Sequence, residues 1–237
     1  MVQQNSLLDT VLSVFAPVHR DGHKFIGLAA VAAIIFLFVW PPLGWLLVLL
    51  TAFIAYFFRD PERVIPLREG LVVSPADGRV QLIETVRPPA ELGLDATERQ
   101  RVSIFLSVLD VHINRAPVAG TIKRSIYVPG AFLNAAVDKA SEENERRAIV
   151  IAQADGTEIA CVQIAGLIAR RIVTFKDEGS TVGAGERFGL IRFGSRVDIY
   201  LPPGKTCLVA IGQTVIGGES IIADLKSNEP ERITRAD

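Results

Sequence analysis

The chain is poor in the residues that usually mark a site. Its 237 residues include two cysteines and three histidines. Two cysteines cannot build a metal site alone, and neither CxxC nor HExxH occurs, so no metal is expected. Cys161 and Cys207 stand in apolar, strand-like runs, Ile159–Ile164 and Thr206–Ile211. Free cysteine packs there as a small hydrophobe, so core packing in a reducing compartment is expected over a disulfide or a nucleophile. A basic excess is also missing: 25 Lys and Arg face 26 Asp and Glu, for a net charge of −1. That excludes the footprint of a nucleic-acid binder. The length suits one catalytic domain plus an anchor.

Another absence is local. From Phe25 to Phe58 no residue is charged. One helix over this run would be about 51 Å long against a hydrocarbon core of about 30 Å. Pro41-Pro42 and Gly44 interrupt it, because proline removes a donor and restricts its predecessor. Two helices of about 24 Å, Phe25–Trp40 and Leu43–Phe58, are expected as a hairpin that spans or dips into a bilayer. Arg20 and Lys24 precede the block while Arg59 and Arg63 follow it, which favours both ends in the cytoplasm. A signal peptide fits less well, since no small-residue cleavage site follows Trp40. The expected organisation is therefore a polar segment and membrane hairpin over 1–60, then a catalytic domain over 61–237. The expected location is the cell membrane, with that domain on the cytoplasmic side.

Beyond Asp60, short β-rich runs alternate with Pro/Gly turns: Gly70–Val73, Gly78–Val86, Arg101–Leu106, Gly120–Val128, Ala148–Ala152, Glu158–Ile164, Ile172–Phe175, Phe188–Phe193, Val197–Leu201, Cys207–Ile211 and Ser220–Ala223. The fold class is α+β, mainly β: a compact sandwich or barrel-like domain of short strands behind an N-terminal helical hairpin. Weaker helix signals cover Leu7–Val14, part of Ala131–Ala140, and Leu167–Arg171. Ser74-Pro75-Ala76-Asp77-Gly78 has an echo in Ala116-Pro117-Val118-Ala119-Gly120. Both are Pro-x-x-Gly turns entering a strand, a pattern common enough that it carries no weight alone.

The chemistry concentrates in Gly185–Pro202, which reads as two strands around Gly194-Ser195. Alone, that pair is a turn or bulge. Yet a Gly-Ser bond held in a strained turn can rearrange. Ser195 Oγ attacks the Gly194 carbonyl, the amide becomes an ester, and β-elimination cuts the chain. The dehydroalanine left behind loses ammonia to give a pyruvoyl group. Glycine leaves the carbonyl open, and the hydroxyl needs a nearby base.

This stretch resembles the phosphatidylserine decarboxylase family in its short bacterial form. So do Ser74-Pro75-Ala76-Asp77-Gly78, Leu109–Pro117, Tyr127–Phe132, Asp138–Arg146 and Ile164–Arg171. The resemblance implies self-cleavage into a β chain, 1–194, and an α chain, 195–237, which stay together as a heterodimer. It implies a covalent pyruvoyl cofactor made from Ser195, with neither a metal nor pyridoxal phosphate. It further implies decarboxylation of phosphatidylserine to phosphatidylethanolamine through a Schiff base to that ketone, the electron sink. The partners implied are that lipid and the surrounding membrane; a homo-oligomer is left open.

His112 is the sole histidine outside the N-terminal segment, and neutral imidazole is the expected base for Ser195. The family's long form carries a second histidine where this chain has Arg115, so whether His112 serves both self-cleavage and decarboxylation is left open by the sequence. Asp77 is the expected orienting carboxylate, with Asp110 next in line. Asn114 and Arg115 are candidates for the substrate carboxylate or phosphate. Two other classes remain open. A biotinyl- or lipoyl-type carrier needs a lysine at a hairpin tip, and Lys205 lacks the flanking pattern. A serine hydrolase using Ser195, His112 and Asp77 would keep its serine, and no nucleophile elbow is present.

Overall fold

The computed structural model describes residues 16–132, 143–166, 171–192, 195–227, 229 and 235. The chain divides into two units, Met1–Glu62 and Arg63–Asp237.

The first unit is a helical pair, α1 (Arg20–Val39) and α2 (Pro41–Phe57). Pro41 and Pro42 open the second helix, where a missing N–H costs nothing. The proline pair thus starts a helix and separates the two. Glycine permits the close approach: a Cβ on Gly44 would lie 2.5 Å from the Leu37 nitrogen, and one on Gly22 would lie 2.6 Å from Phe58 Cβ. Phe25 stacks on Phe58 with centroids 5.6 Å apart. Leu28, Phe38, Val39, Trp45 and Leu49 are exposed, so the pair is apolar outward as well as inward. At 20 residues, about 30 Å, α1 is long and apolar enough to cross a membrane, whereas α2 has 17 residues.

The second unit is built of strands: β1 (Leu71–Val73), β2 (Gly78–Val86), β3 (Arg99–Leu106), β4 (Ile113–Arg115), β5 (Gly120–Val128), β6 (Arg146–Ala152) and β7 (Glu158–Ala165). There follow β8 (Ile172–Thr174), β9 (Thr181–Val182), β10 (Arg187–Ile191), β11 (Ser195–Tyr200), β12 (Thr214–Val215) and β13 (Ile221–Asp224). Eight form one antiparallel sheet in the order β12-β2-β3-β11-β7-β6-β5-β9, beside a β4-β10-β8 sheet and a β1-β13 pair. The expected mainly β class is borne out, with the large sheet curled as a half-barrel. Its concave side buries Val80, Ile104, Ile122, Ile151, Val197 and Ile199.

Two expectations changed. Cys207–Ile211 is not a strand; Cys207 forms an isolated bridge to Ala223, and Gly212 at φ +89° turns the chain. The short strands β4, β9 and β12 were not anticipated, because two or three residues show no alternation. Leu7–Val14, Leu167–Arg170 and Leu133–Ala140 lie outside the described residues.

The Pro-x-x-Gly echo is a structural repeat. Val73 N–H donates to the Pro117 carbonyl and Arg115 N–H to the Pro75 carbonyl, both at 2.9 Å. Val80 and Ile122 each donate to a turn residue, Gln213 and Ser180, also at 2.9 Å. β2 bulges against β3 between Val80 and Leu82, as β5 does against β6 between Ile122 and Arg124. β1–β13 and β4–β10 shift register at the matching place. One copy is therefore β1, β2, β3, β11, β12 and β13; the other is β4, β5, β6, β7, β9 and β10. The second copy is inserted inside the first. Where β6 and β7 are joined by the tight turn Gln153–Thr157, the corresponding β3 and β11 are parted at Leu106 and Ser195. Ser195 lies where the chain returns from the inserted copy to its host.

Candidate active site

Ser195 is the first residue of β11, a strand with a neighbour on each side. It pairs with Leu106 of β3 and with Ala165 of β7. It is fully buried, and its Oγ has no hydrogen-bond partner among the described residues. A buried polar group without a partner costs roughly 1–3 kcal/mol, so this hydroxyl is not there for stability. Gly194, the other half of the expected cut, lies outside the described residues.

His112 immediately precedes β4 and is fully buried. Its Nδ1 lies 2.9 Å from the Asp110 carbonyl oxygen. A carbonyl only accepts, so Nδ1 carries the proton and Nε2 is the basic nitrogen. Asp110 is fixed in turn: its Oδ2 accepts from Ser107 N–H at 2.7 Å. Asp110, weighed second as orienting residue, thus holds the imidazole through its backbone.

Asp77 stands in the turn entering β2. The Arg63 guanidinium donates to its Oδ2 at 2.6 Å and Gly217 N–H to its Oδ1 at 2.8 Å. Burial raises its pKa above the ordinary 3.8, and the charge of Asp110 adds to this; Arg63 and the Gly217 N–H act the other way. The turn abuts the end of β3, since a Cβ on Gly78 would sit 2.2 Å from the Phe105 carbonyl oxygen. Leu106 follows Phe105 and pairs with Ser195. The fold therefore gathers Asp77, Asp110, His112 and Ser195 at one end of the large sheet.

Asn114 and Arg115 point to opposite sides of β4 by strand alternation. Arg115 Nη1 donates to the Gly185 carbonyl at 3.0 Å. Asn114 is fully buried and its Oδ1 accepts from Gln163 Nε2 at 2.7 Å. Gln163 escaped the reading of the sequence, and Arg63 was read there only as a charge flanking the apolar block. The signal for Gln163 was present: it is the one amide side chain within the apolar run Ile159–Ile164.

On the far face of β11, Arg196 and Asp198 form a buried bidentate pair at 2.6 and 2.9 Å. Burial and the Asp198 charge push the nearby Tyr200 phenol up to about 12. Cys161 and Cys207 are core residues, and burial raises the Cys161 thiol far above its ordinary range. The described residues contain no group of three or more His, Cys, Asp and Glu disposed to hold a metal ion.

A buried serine thus opens a central strand, at the end of the sheet where an imidazole with its Nδ1 on a carbonyl and an anchored carboxylate are also held. The family model for phosphatidylserine decarboxylase matches residues 50–223. A protein from Cereibacter sphaeroides (strain ATCC 17025 / ATH 2.4.3), described as a phosphatidylserine decarboxylase proenzyme, is 54% identical over 225 residues, covering 95% of this chain and 97% of that protein. The chain belongs to the phosphatidylserine decarboxylase family and is a carboxy-lyase.

Proposed function

We propose that this chain is a self-processing proenzyme that converts phosphatidylserine to phosphatidylethanolamine and CO₂ at a pyruvoyl group derived from Ser195. The observation that carries the reading is the buried Ser195 hydroxyl at the start of β11, without a hydrogen-bond partner among the described residues. His112 Nε2 takes the Ser195 Oγ proton, Oγ bonds to the Gly194 carbonyl carbon, and the Gly194–Ser195 C–N bond breaks as its nitrogen takes a proton. Loss of the Ser195 α-proton then breaks Cβ–Oγ. Gly194 leaves as a carboxylate, and water replaces the enamine nitrogen, releasing ammonia. The residues fit the group: the strand that would carry it has a ladder on each side, and His112, at the same end of the sheet, has a basic nitrogen. When formed, the pyruvoyl ketone supplies the electron sink for decarboxylation.

Asp77, anchored by Arg63 and Gly217, sets the electrostatics around the imidazole, and His112 then returns a proton to the substrate carbon. Asn114 faces the serine head group; Arg115, whose Nη1 binds Gly185, contributes its charge from the other side of β4. The α chain stays bound after the cut because its three strands pair separately: β11 with β3 and β7, β12 with β2, and β13 with β1. The helical pair anchors the protein at the cell membrane, where its lipid substrate lies, with the catalytic domain cytoplasmic.

Intact-mass measurement of purified chain tests this. Two fragments cut after Gly194 are expected, the smaller lacking an N-terminal amine. A single chain with an intact serine in active protein would refute the reading.

A further inference from the structure

The repeated fold provides an internal control for the site. In the host copy the positions matching Asn114 and Gly189 are Val72 and Ala223, which pair in β1–β13 as Asn114 and Gly189 pair in β4–β10. Following the ladders one residue beyond β11 brings Leu201 to the position of Gln163. Val72, Leu201 and Ala223 are all fully buried apolar core residues. The fold is therefore content with a dry triad there. In the inserted copy the same three positions hold Asn114, Gln163 and Gly189.

This polar version is costly. Asn114 and Gln163 are fully buried, and beyond their mutual bond Asn114 Nδ2 and Gln163 Oε1 have no hydrogen-bond partner among the described residues. At the third position a Cβ on Gly189 would lie 2.8 Å from Gln163 Nε2 and equally close to the Val173 carbonyl oxygen. Gln163 faces the concave side with Ala165, and Ala165 pairs with Ser195, so Gln163 is the diagonal neighbour of Ser195 across one ladder, a backbone separation of about 7–8 Å. His112 and Asn114, two residues apart, share the facing side of β4.

We propose that Gln163 is a positioning residue for Asn114, holding its carboxamide with Nδ2 turned toward the reacting end, where it donates to the carboxylate of the serine head group. This rests on the function proposed above. A neutral donor suits that task. It fixes the orientation of the carboxylate, whereas a cation there would stabilise most the charge that decarboxylation removes. Gln163 Nε2, bonded to Asn114 Oδ1, selects which end of the asparagine faces the substrate.

The test is Gln163→Leu, the residue of the other copy, in the full chain. Self-cleavage is expected to go to completion and Tm to hold or rise. KM for phosphatidylserine should rise about tenfold, the effect of one lost hydrogen bond to a charged group, with kcat less affected. Inhibition by phosphatidylethanolamine, which lacks the carboxylate, should be unchanged. Equal weakening of both lipids, or a wild-type KM, overturns the proposal. A variant that stays uncut assigns the pair to self-cleavage and overturns it too, while leaving the pyruvoyl reading intact; a wild-type chain found uncut refutes that reading instead. Should Gln163→Leu fail to fold, Gln163→Glu decides. Its carboxylate accepts from Asn114 Nδ2 and turns Oδ1 outward, so KM should rise more than tenfold, and an unchanged KM overturns the proposal.

Discussion

Gly78 and Gly120 occupy the same position in two copies of one fold: a Cβ on the first would lie 2.2 Å from the Phe105 carbonyl oxygen, and on the second 2.4 Å from that of Ala152. Each glycine lets its strand's first residue press against the neighbouring strand's backbone. Backbone cannot swing aside as a side-chain tip can. Gly120→Ala is therefore expected to destabilise by about 1–3 kcal/mol, the usual cost of overpacking. Gly78→Ala should cost more, because φ is +149° there and an alanine would also be strained. Urea midpoints of the two variants check both the size and the order.

The sequence made much of this legible, and the reason is local. β2 and β5 are nine residues each, long enough for turn and apolar signals to agree. The Pro-x-x-Gly echo was also visible, but its significance was not. The second half of the repeat, Gly179-Ser180-Thr181-Val182 against Gly212-Gln213-Thr214-Val215, makes two-residue strands without periodicity. Asp77, His112 and Ser195 were singled out through motifs. What joins them was hidden, since Arg63, Gly217 and the Asp110 carbonyl act through contacts that no spacing encodes.

Arg196 and Asp198 are 2% and 1% exposed, on the far face of the strand that begins with Ser195. Removing one partner leaves a buried charge uncompensated, which typically costs 3–5 kcal/mol. Arg196→Met is expected to lose about that much, and Arg196→Met with Asp198→Leu to recover most of it. A double-mutant cycle on thermal unfolding of uncleaved Ser195→Ala chain measures the coupling without processing as a variable.

The raised pKa of Asp77 makes a prediction about pH. A carboxyl whose folded pKa lies above its unfolded value binds its proton more tightly when folded. Its contribution is thus most favourable below the ordinary 3.8 and is lost as pH rises through the raised value. Asp77→Asn cannot titrate. Its stability relative to wild type should improve from about pH 4 upward and level off above the folded pKa. Tm profiles of the two proteins, each carrying Ser195→Ala, give the comparison. A mutant-minus-wild-type Tm difference that falls as pH rises through this window would contradict the assignment.

Both copies carry a glycine followed by a hydroxyl residue at the start of the matching strand: Gly194-Ser195 and Gly156-Thr157. Their surroundings differ. The position matching His112 is Gly70, and that matching Asp77 is Ala119. These line a cavity of about 490 Å³ together with Thr157. Gly156 is exposed at φ +85°, and the Thr157 carbonyl accepts from Gln153 N–H at 2.9 Å. A hydroxyl beside a glycine is therefore not enough; it must lose its proton to a base. Mass analysis should find a break after Gly194 and none after Gly156. Ser195→Ala should leave one chain. His112→Ala should slow cutting by at least about a hundredfold, the lower end of what a positioned base contributes, with added imidazole restoring part of the rate. Fast cutting in that variant would transfer the proton to another group and remove His112 from the first step.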